Sequence, residues 1–134
     1  MRSTSLLALL LVTGSAASAP GEFGALPFVA NDYSAALARA RSEKRPLFVE
    51  FWAPWCHTCR SMRAFVFTDE TLANRTGQFV WLEIDTDLPA SEAVVSRFPV
   101  DAWPTFRVVD PDSERVILER VGSLTVAQVH AFLD

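Results

Sequence analysis

The chain is predicted to be an α/β domain: a central mixed β-sheet flanked by helices, with an antiparallel hairpin near the C-terminus. Three observations lead there. Between residues 28 and 97, apolar runs of strand length alternate with stretches of helical periodicity, a pattern that requires parallel pairing through crossover helices. Asp110-Pro111-Asp112-Ser113, a turn sequence with proline in second place, joins two further strand patterns and makes that pair antiparallel. A complete helix start then closes the chain: Thr125 as N-cap, Gln128 completing a capping box, and Leu124 against Val129 as a hydrophobic staple.

Residues 1–19 stand apart from this pattern. Arg2 supplies a short positive region, Leu6 to Val12 an apolar core too short to span a bilayer, and Ala17-Ser18-Ala19 a small-residue cleavage signal, so the segment reads as a secretory signal peptide. An uncleaved anchor is the alternative. Residues 20–27, with two prolines and two glycines, read as a flexible leader, and residues 28–134 as the folded domain. Residues 28–30 suit a short edge strand, and Asn31 or Asp32 can cap a helix over 32–43 that places Tyr33, Leu37 and Ala40 on one face. Leu47-Phe48-Val49-Glu50-Phe51-Trp52 reads as a central strand buried on both faces and interrupted by one acid. A second helix is expected over 56–66, with Cys59, Met62 and Val66 inward, then a short helix capped by Thr68 or Asp69 and ended by Gly77. Residues 79–84 form a strand, 88–97 a helix with Pro89 in its first turn, 99–103 a loop, and 105–109 and 115–121 the hairpin strands.

A length of 134 residues suits one domain with a single core, and a composition that is 50% hydrophobic argues against disorder. The 12 basic and 16 acidic residues give a net charge of −4; cleavage after Ala19 removes Arg2 and no acid, leaving 11 against 16, or −5. Nucleic acid and anionic membrane surfaces are therefore poor partners. Export implies a periplasmic or secreted protein whose cysteines meet an oxidising compartment.

The chemistry lies in Trp55-Cys56-His57-Thr58-Cys59, which holds both cysteines of the chain. Thiols at i and i+3 on the first turn of a helix lie on one face, near enough to close into a small disulfide. The helix N-terminus favours a thiolate over a thiol, so Cys56 reads as an activated nucleophile and Cys59 as its resolving partner. Half of a zinc site uses the same spacing, but no second cysteine pair exists to complete one. A purely stabilising disulfide is the other alternative, although so small a ring constrains little of the unfolded chain.

Three marks together resemble the thioredoxin-fold oxidoreductases: residues 51–59 around the cysteines, Trp103-Pro104-Thr105-Phe106, and Val121-Gly122-Ser123-Leu124-Thr125 before the last helix. The resemblance covers residues 28–134. Ordinary thioredoxins carry a helix-kinking proline near Ala64; an unbroken helix followed by Thr68-Asp69 is more similar to the periplasmic C-terminal domain of DsbD and related secreted proteins. The resemblance implies a cis peptide before Pro104, facing the cysteines, with Trp103, Pro104 and Thr105 holding a substrate strand and Pro104 also guarding against metal capture. It also implies that Glu50, six residues before Cys56, is the buried acid that takes a proton from Cys59, unless it lies at a strand edge and reaches solvent. Trp81 occupies the place where thioredoxins put a lysine beside this acid, which leaves the relay without an evident cation. His57 can stabilise the Cys56 thiolate or merely be solvated, Trp55 shapes the rim, Arg60 and Arg63 either add positive field at the site or form a solvated helix face, and His130 reads as surface.

These residues together predict a thiol-disulfide oxidoreductase, working as a reductase on protein thiols or disulfides with a membrane or periplasmic redox partner, monomeric and without a cofactor. The alternatives are an oxidase that donates its disulfide, a metal-binding module built on Cys56, Cys59 and His57, and a structural adaptor.

Overall fold

The computed structural model describes residues 24–134, so the signal-peptide reading of 1–19 and most of the leader lie outside the described residues. In chain order the elements are β1 (Val29–Ala30), α1 (Tyr33–Glu43), β2 (Leu47–Trp52), α2 (His57–Ser61), β3 (Val80–Asp85), α3 (Glu92–Arg97), β4 (Thr105–Val109), β5 (Val116–Val121) and α4 (Val126–Leu133). The sheet has the order β1-β3-β2-β4-β5; β1, β3 and β2 run parallel, while β4 and β5 are antiparallel to their neighbours. This is the expected mixed sheet with its antiparallel hairpin.

Alternation along β2 divides the interior into two layers. Leu47, Val49 and Phe51 join Ala36 and Ala40 of α1 and Leu82 and Ile84 of β3 on one face. Phe48 projects to the other, among Phe28, Met62, Phe67, Trp81, Phe106 and residues of α4. Glu50 is the single acid of β2 and is fully buried on this second face, in register with Glu83 of β3. Packing begins before the predicted boundary at Phe28, because Leu26 is already in the core.

The helix ends follow their sequence signals. The Asp32 side chain accepts from the Ala35 N–H, and Asp69 caps a short 3-10 segment, Glu70–Arg75. Both halves of the Thr125–Gln128 capping box are present. His130 corrects the surface reading: Arg75 Nε donates to its Nδ1 at 3.2 Å, which ties α4 to the 3-10 segment.

The largest departure follows α2. The expected continuous α-helix becomes a π-turn over Met62–Val66, closed by the Phe67 N–H on the Met62 carbonyl at 2.9 Å. Its extra residue moves the inward face by one position, so Phe67 rather than Val66 fills the core, and Arg63 is buried beside Met62.

Topology brings the remote parts of the site together. Because β4 runs antiparallel to β2, Thr105 at its start pairs with Phe51 near the end of β2. Trp103 and Pro104 therefore reach the same sheet end at which β2 turns into the cysteine helix, the end where open α/β sheets bind ligands.

Candidate active site

Ala53-Pro54-Trp55 turns the chain out of β2, and the Cys56 N–H donates to the Ala53 carbonyl at 3.0 Å. Cys56 takes the N-cap position of α2, as the spacing predicts, and its Sγ accepts from the Cys59 N–H at 3.2 Å. The two sulfurs form a disulfide. Cys59 is wholly inaccessible, whereas Cys56 keeps 5% exposure, so only the first sulfur can meet a macromolecule. The Thr58 hydroxyl lies 3.4 Å from Cys56 Sγ, a second polar group at the sulfur.

Tryptophans frame the pair. Trp52 and Trp103 pack on the cluster of Ala53, Cys56 and Cys59. Trp103 Nε1 donates to Thr86 Oγ1 at 2.8 Å, and that hydroxyl donates to the Trp52 carbonyl at 3.1 Å. Trp55 is 57% exposed, stands edge to face with Trp103, and donates from Nε1 to Asp87 Oδ2 at 2.9 Å. Thr86 and Asp87 thus position two site residues, a role that their place in an acidic turn did not announce.

The Trp103–Pro104 peptide is cis. Pro104 is buried, and its carbonyl accepts from the Gly122 N–H at 2.8 Å. Gly122 has φ of 89°, a conformation that disfavours any residue with a Cβ, so glycine here lets the backbone turn back onto Pro104. Thr105 is buried and donates from Oγ1 to the Ala102 carbonyl at 2.8 Å, bracing the loop rather than pointing from it. His57 and Arg60 are exposed; with Ser61, Ala64 and Phe65 they line a shallow cleft on the outer face of the helix.

Against Trp52 lies a buried charge cluster. Arg63 Nη2 donates to Glu50 Oε2 at 3.1 Å and also to Glu83 Oε2. Its guanidinium lies 3.4 Å from the ring centroid of Trp52, the residue that packs on the cysteines. This corrects two expectations: Arg63 is not on a solvated face, and the buried acid does have a cation. It comes from the cysteine helix, where the π-turn carries it, rather than from the strand position held by Trp81. Burial pushes the Glu50 carboxyl up to about 7, overcoming the opposing charge and hydrogen bond of Arg63. Glu83 is raised in the same way and was not evident as a site residue. The signal available was two acids on apolar strands with one arginine four residues beyond Cys59.

Residues 28–111 match the family described as Thioredoxin-like. A Chlamydomonas reinhardtii protein named thioredoxin H-type is 39% identical over 57% of this chain and 64% of its own length. The thiol:disulfide interchange protein DsbD of Pseudoalteromonas atlantica is 26% identical over 75% of this chain but only 17% of its own. The chain thus spans less than two thirds of the curated relatives it matches. Among solved structures, a Thermus thermophilus thioredoxin superposes with a TM-score of 0.71 and 26% identity, over 81% of this chain and 85% of that one.

Proposed function

Since the chain belongs to the Thioredoxin-like family, we propose that it is a thiol-disulfide oxidoreductase that reduces disulfides of protein substrates through Cys56 and Cys59. The observation that carries this reading is the asymmetry of the pair, with Cys56 at a helix cap and in reach while Cys59 is sealed behind it.

In the reduced chain, the Cys56 thiolate attacks one sulfur of a substrate disulfide. The substrate S–S bond breaks, a mixed disulfide forms on Cys56, and the departing substrate thiolate takes a proton. Cys59 then gives its proton to Glu50 and attacks Cys56 Sγ; the Cys56–substrate bond breaks and the second substrate thiolate leaves. Two electrons have passed to the substrate, and the chain is left with the Cys56–Cys59 disulfide. An external dithiol, supplied by a membrane or periplasmic redox partner, restores it by the reverse sequence. Trp55, His57, Trp103 and Pro104 border the path along which an extended substrate segment lies, and Thr105 braces the loop behind it. Glu50 suits its part because it is dehydrated, carries a raised pKa and leaves Oε1 without a hydrogen-bond partner among the described residues.

Export to the periplasm or beyond rests on the charge and hydropathy pattern of residues 1–19, and action as a monomer completes the reading. The second reading is a disulfide-donating oxidase, favoured by His57 directly after the nucleophile. A reduction potential near about −270 mV supports the reductase, and one near about −120 mV the oxidase. Substrates are tested with Cys59→Ala in the native compartment, which freezes mixed disulfides on Cys56. Recovery of trapped proteins that vanish in the Cys56→Ala control supports the assignment, and an empty trap removes it.

A further inference from the structure

We propose that Glu83 is a positioning residue for the redox step: Glu50, Arg63 and Glu83 act as one buried unit in which two carboxyl groups share a proton and a single guanidinium, so that the charge on Glu83 sets the pH at which Glu50 accepts the proton of Cys59. This rests on the reading of Glu50 as that acceptor.

The geometry leaves the two acids little independence. They sit directly opposite one another on adjacent parallel strands, whose spacing is about 4.8 Å, and their side chains emerge on the same face. Glu50 is fully buried and Glu83 is 6% exposed. One nitrogen, Nη2 of Arg63, serves both. Among the described residues, the charged groups acting on the pair are Arg63 from the cysteine helix and Asp85 from β3, which adds negative charge beside Glu83. With both carboxyls ionised, one cation faces two anions in a site nearly free of water; retaining one proton removes the excess charge.

The arrangement also has a direction. Glu50 is the more deeply buried of the two acids, and its Oε1 is unpartnered among the described residues. The shared proton therefore settles on Glu50, the acid cut off from solvent, while Glu83 stays ionised against Arg63. Removing the charge of Glu83 turns Arg63 wholly toward Glu50 and keeps Glu50 ionised to lower pH.

The reduced protein is mixed with the aromatic disulfide DTNB, and the second release of thionitrobenzoate, which reports attack by Cys59 on the mixed disulfide, is followed from about pH 5 to about pH 9. Glu83→Gln is expected to move the inflection of the rate profile to lower pH by about one unit, up to about tenfold faster on its acid side. Glu50→Gln abolishes the inflection. A Glu83→Gln profile that superimposes on the parent, or moves to higher pH, overturns the proposal while leaving Glu50 in place. If Glu50→Gln keeps the inflection too, the acceptor reading falls and takes the proposal with it. Should Glu83→Gln not fold, carbon-13 titration of the unaltered protein decides: the two carboxyl signals are expected to pass through shared steps. A single independent step for Glu83 overturns the proposal.

Discussion

The rings of Trp55 and Trp103 meet edge to face with centroids 5.2 Å apart, beside the disulfide and more than forty residues from one another in sequence. The loop after β3 anchors both, through Asp87 and Thr86. Two segments that never touch in sequence are thereby held as one aromatic wall next to Cys56, the accessible member of the cysteine pair.

Trp55→Ala removes the exposed half of that wall without touching the sulfurs. Aromatic pairs contribute about 0.5–1.5 kcal/mol beyond their burial, so KM for a protein disulfide is expected to rise about two- to tenfold with kcat little changed. Steady-state reduction of insulin measures this. The reaction with DTNB, too small to span the wall, is expected to keep its rate; equal losses with both substrates place Trp55 outside substrate binding.

The cysteine pair was legible in its spacing and the burial of Glu50 in the apolar strand around it, while the cis peptide before Pro104 was legible only through the resemblance to thioredoxin-fold proteins. Arg63 was not. Its charge argued for solvent, and α-helical periodicity gave no warning of a π-turn, which arises where Met62 and Phe67 both seek the core. Glu83 escaped for a related reason: an acid in a strand gains meaning only when register sets it opposite another, and register is a tertiary fact. The anchoring roles of Thr86 and Asp87 were hidden in the same way.

The start of α4 shows the opposite case, where local chemistry fixed the outcome. The Thr125 side chain accepts from the Gln128 N–H and Gln128 Oε1 accepts from the Thr125 N–H. Thr125→Ala is expected to lower stability by about 1 kcal/mol, read as a shifted urea midpoint with an unchanged slope. The reduction potential stays constant, because the cap shares no hydrogen bond with the cysteines.

Stability should fall as pH rises through neutrality, the reverse of what paired surface carboxylates produce. Glu50 holds its proton up to about 7, against 4.5 for an ordinary glutamate, so between those values the folded chain binds more protons than the unfolded one. Its contribution, about 3 kcal/mol, is present below 4.5 and is lost as pH rises to about 7; the raised Glu83 acts with the same sign. Asp69 and Asp110, held low by their hydrogen bonds, act in the opposite sense on the acid side of this window. Urea unfolding near about pH 5 and about pH 8 should show the loss in the parent protein and much less of it in Glu50→Gln. Equal slopes in the two proteins would remove Glu50 as the source.

Arg63→Met separates the structural role of the cation from its electrostatic one. Methionine keeps an unbranched apolar stem at this buried position, but it leaves Glu50 and Glu83 without the guanidinium that both accept from. Breaking a buried ion pair by removing one partner costs about 3–5 kcal/mol when the remaining charge must stay ionised. Near about pH 8 that full loss is expected, whereas near about pH 5 both carboxyls of the variant are protonated, no bare charge is buried, and only the packing deficit remains. The variant should therefore be more sensitive to rising pH than the parent. Arg63→Lys restores the charge but not the planar group that lies over Trp52, so its pH slope should return toward the parent while an offset from lost stacking persists. Urea midpoints for the three proteins at both pH values test this, and a pH-independent loss in Arg63→Met would mean that Arg63 acts there as a packed side chain rather than as a charge.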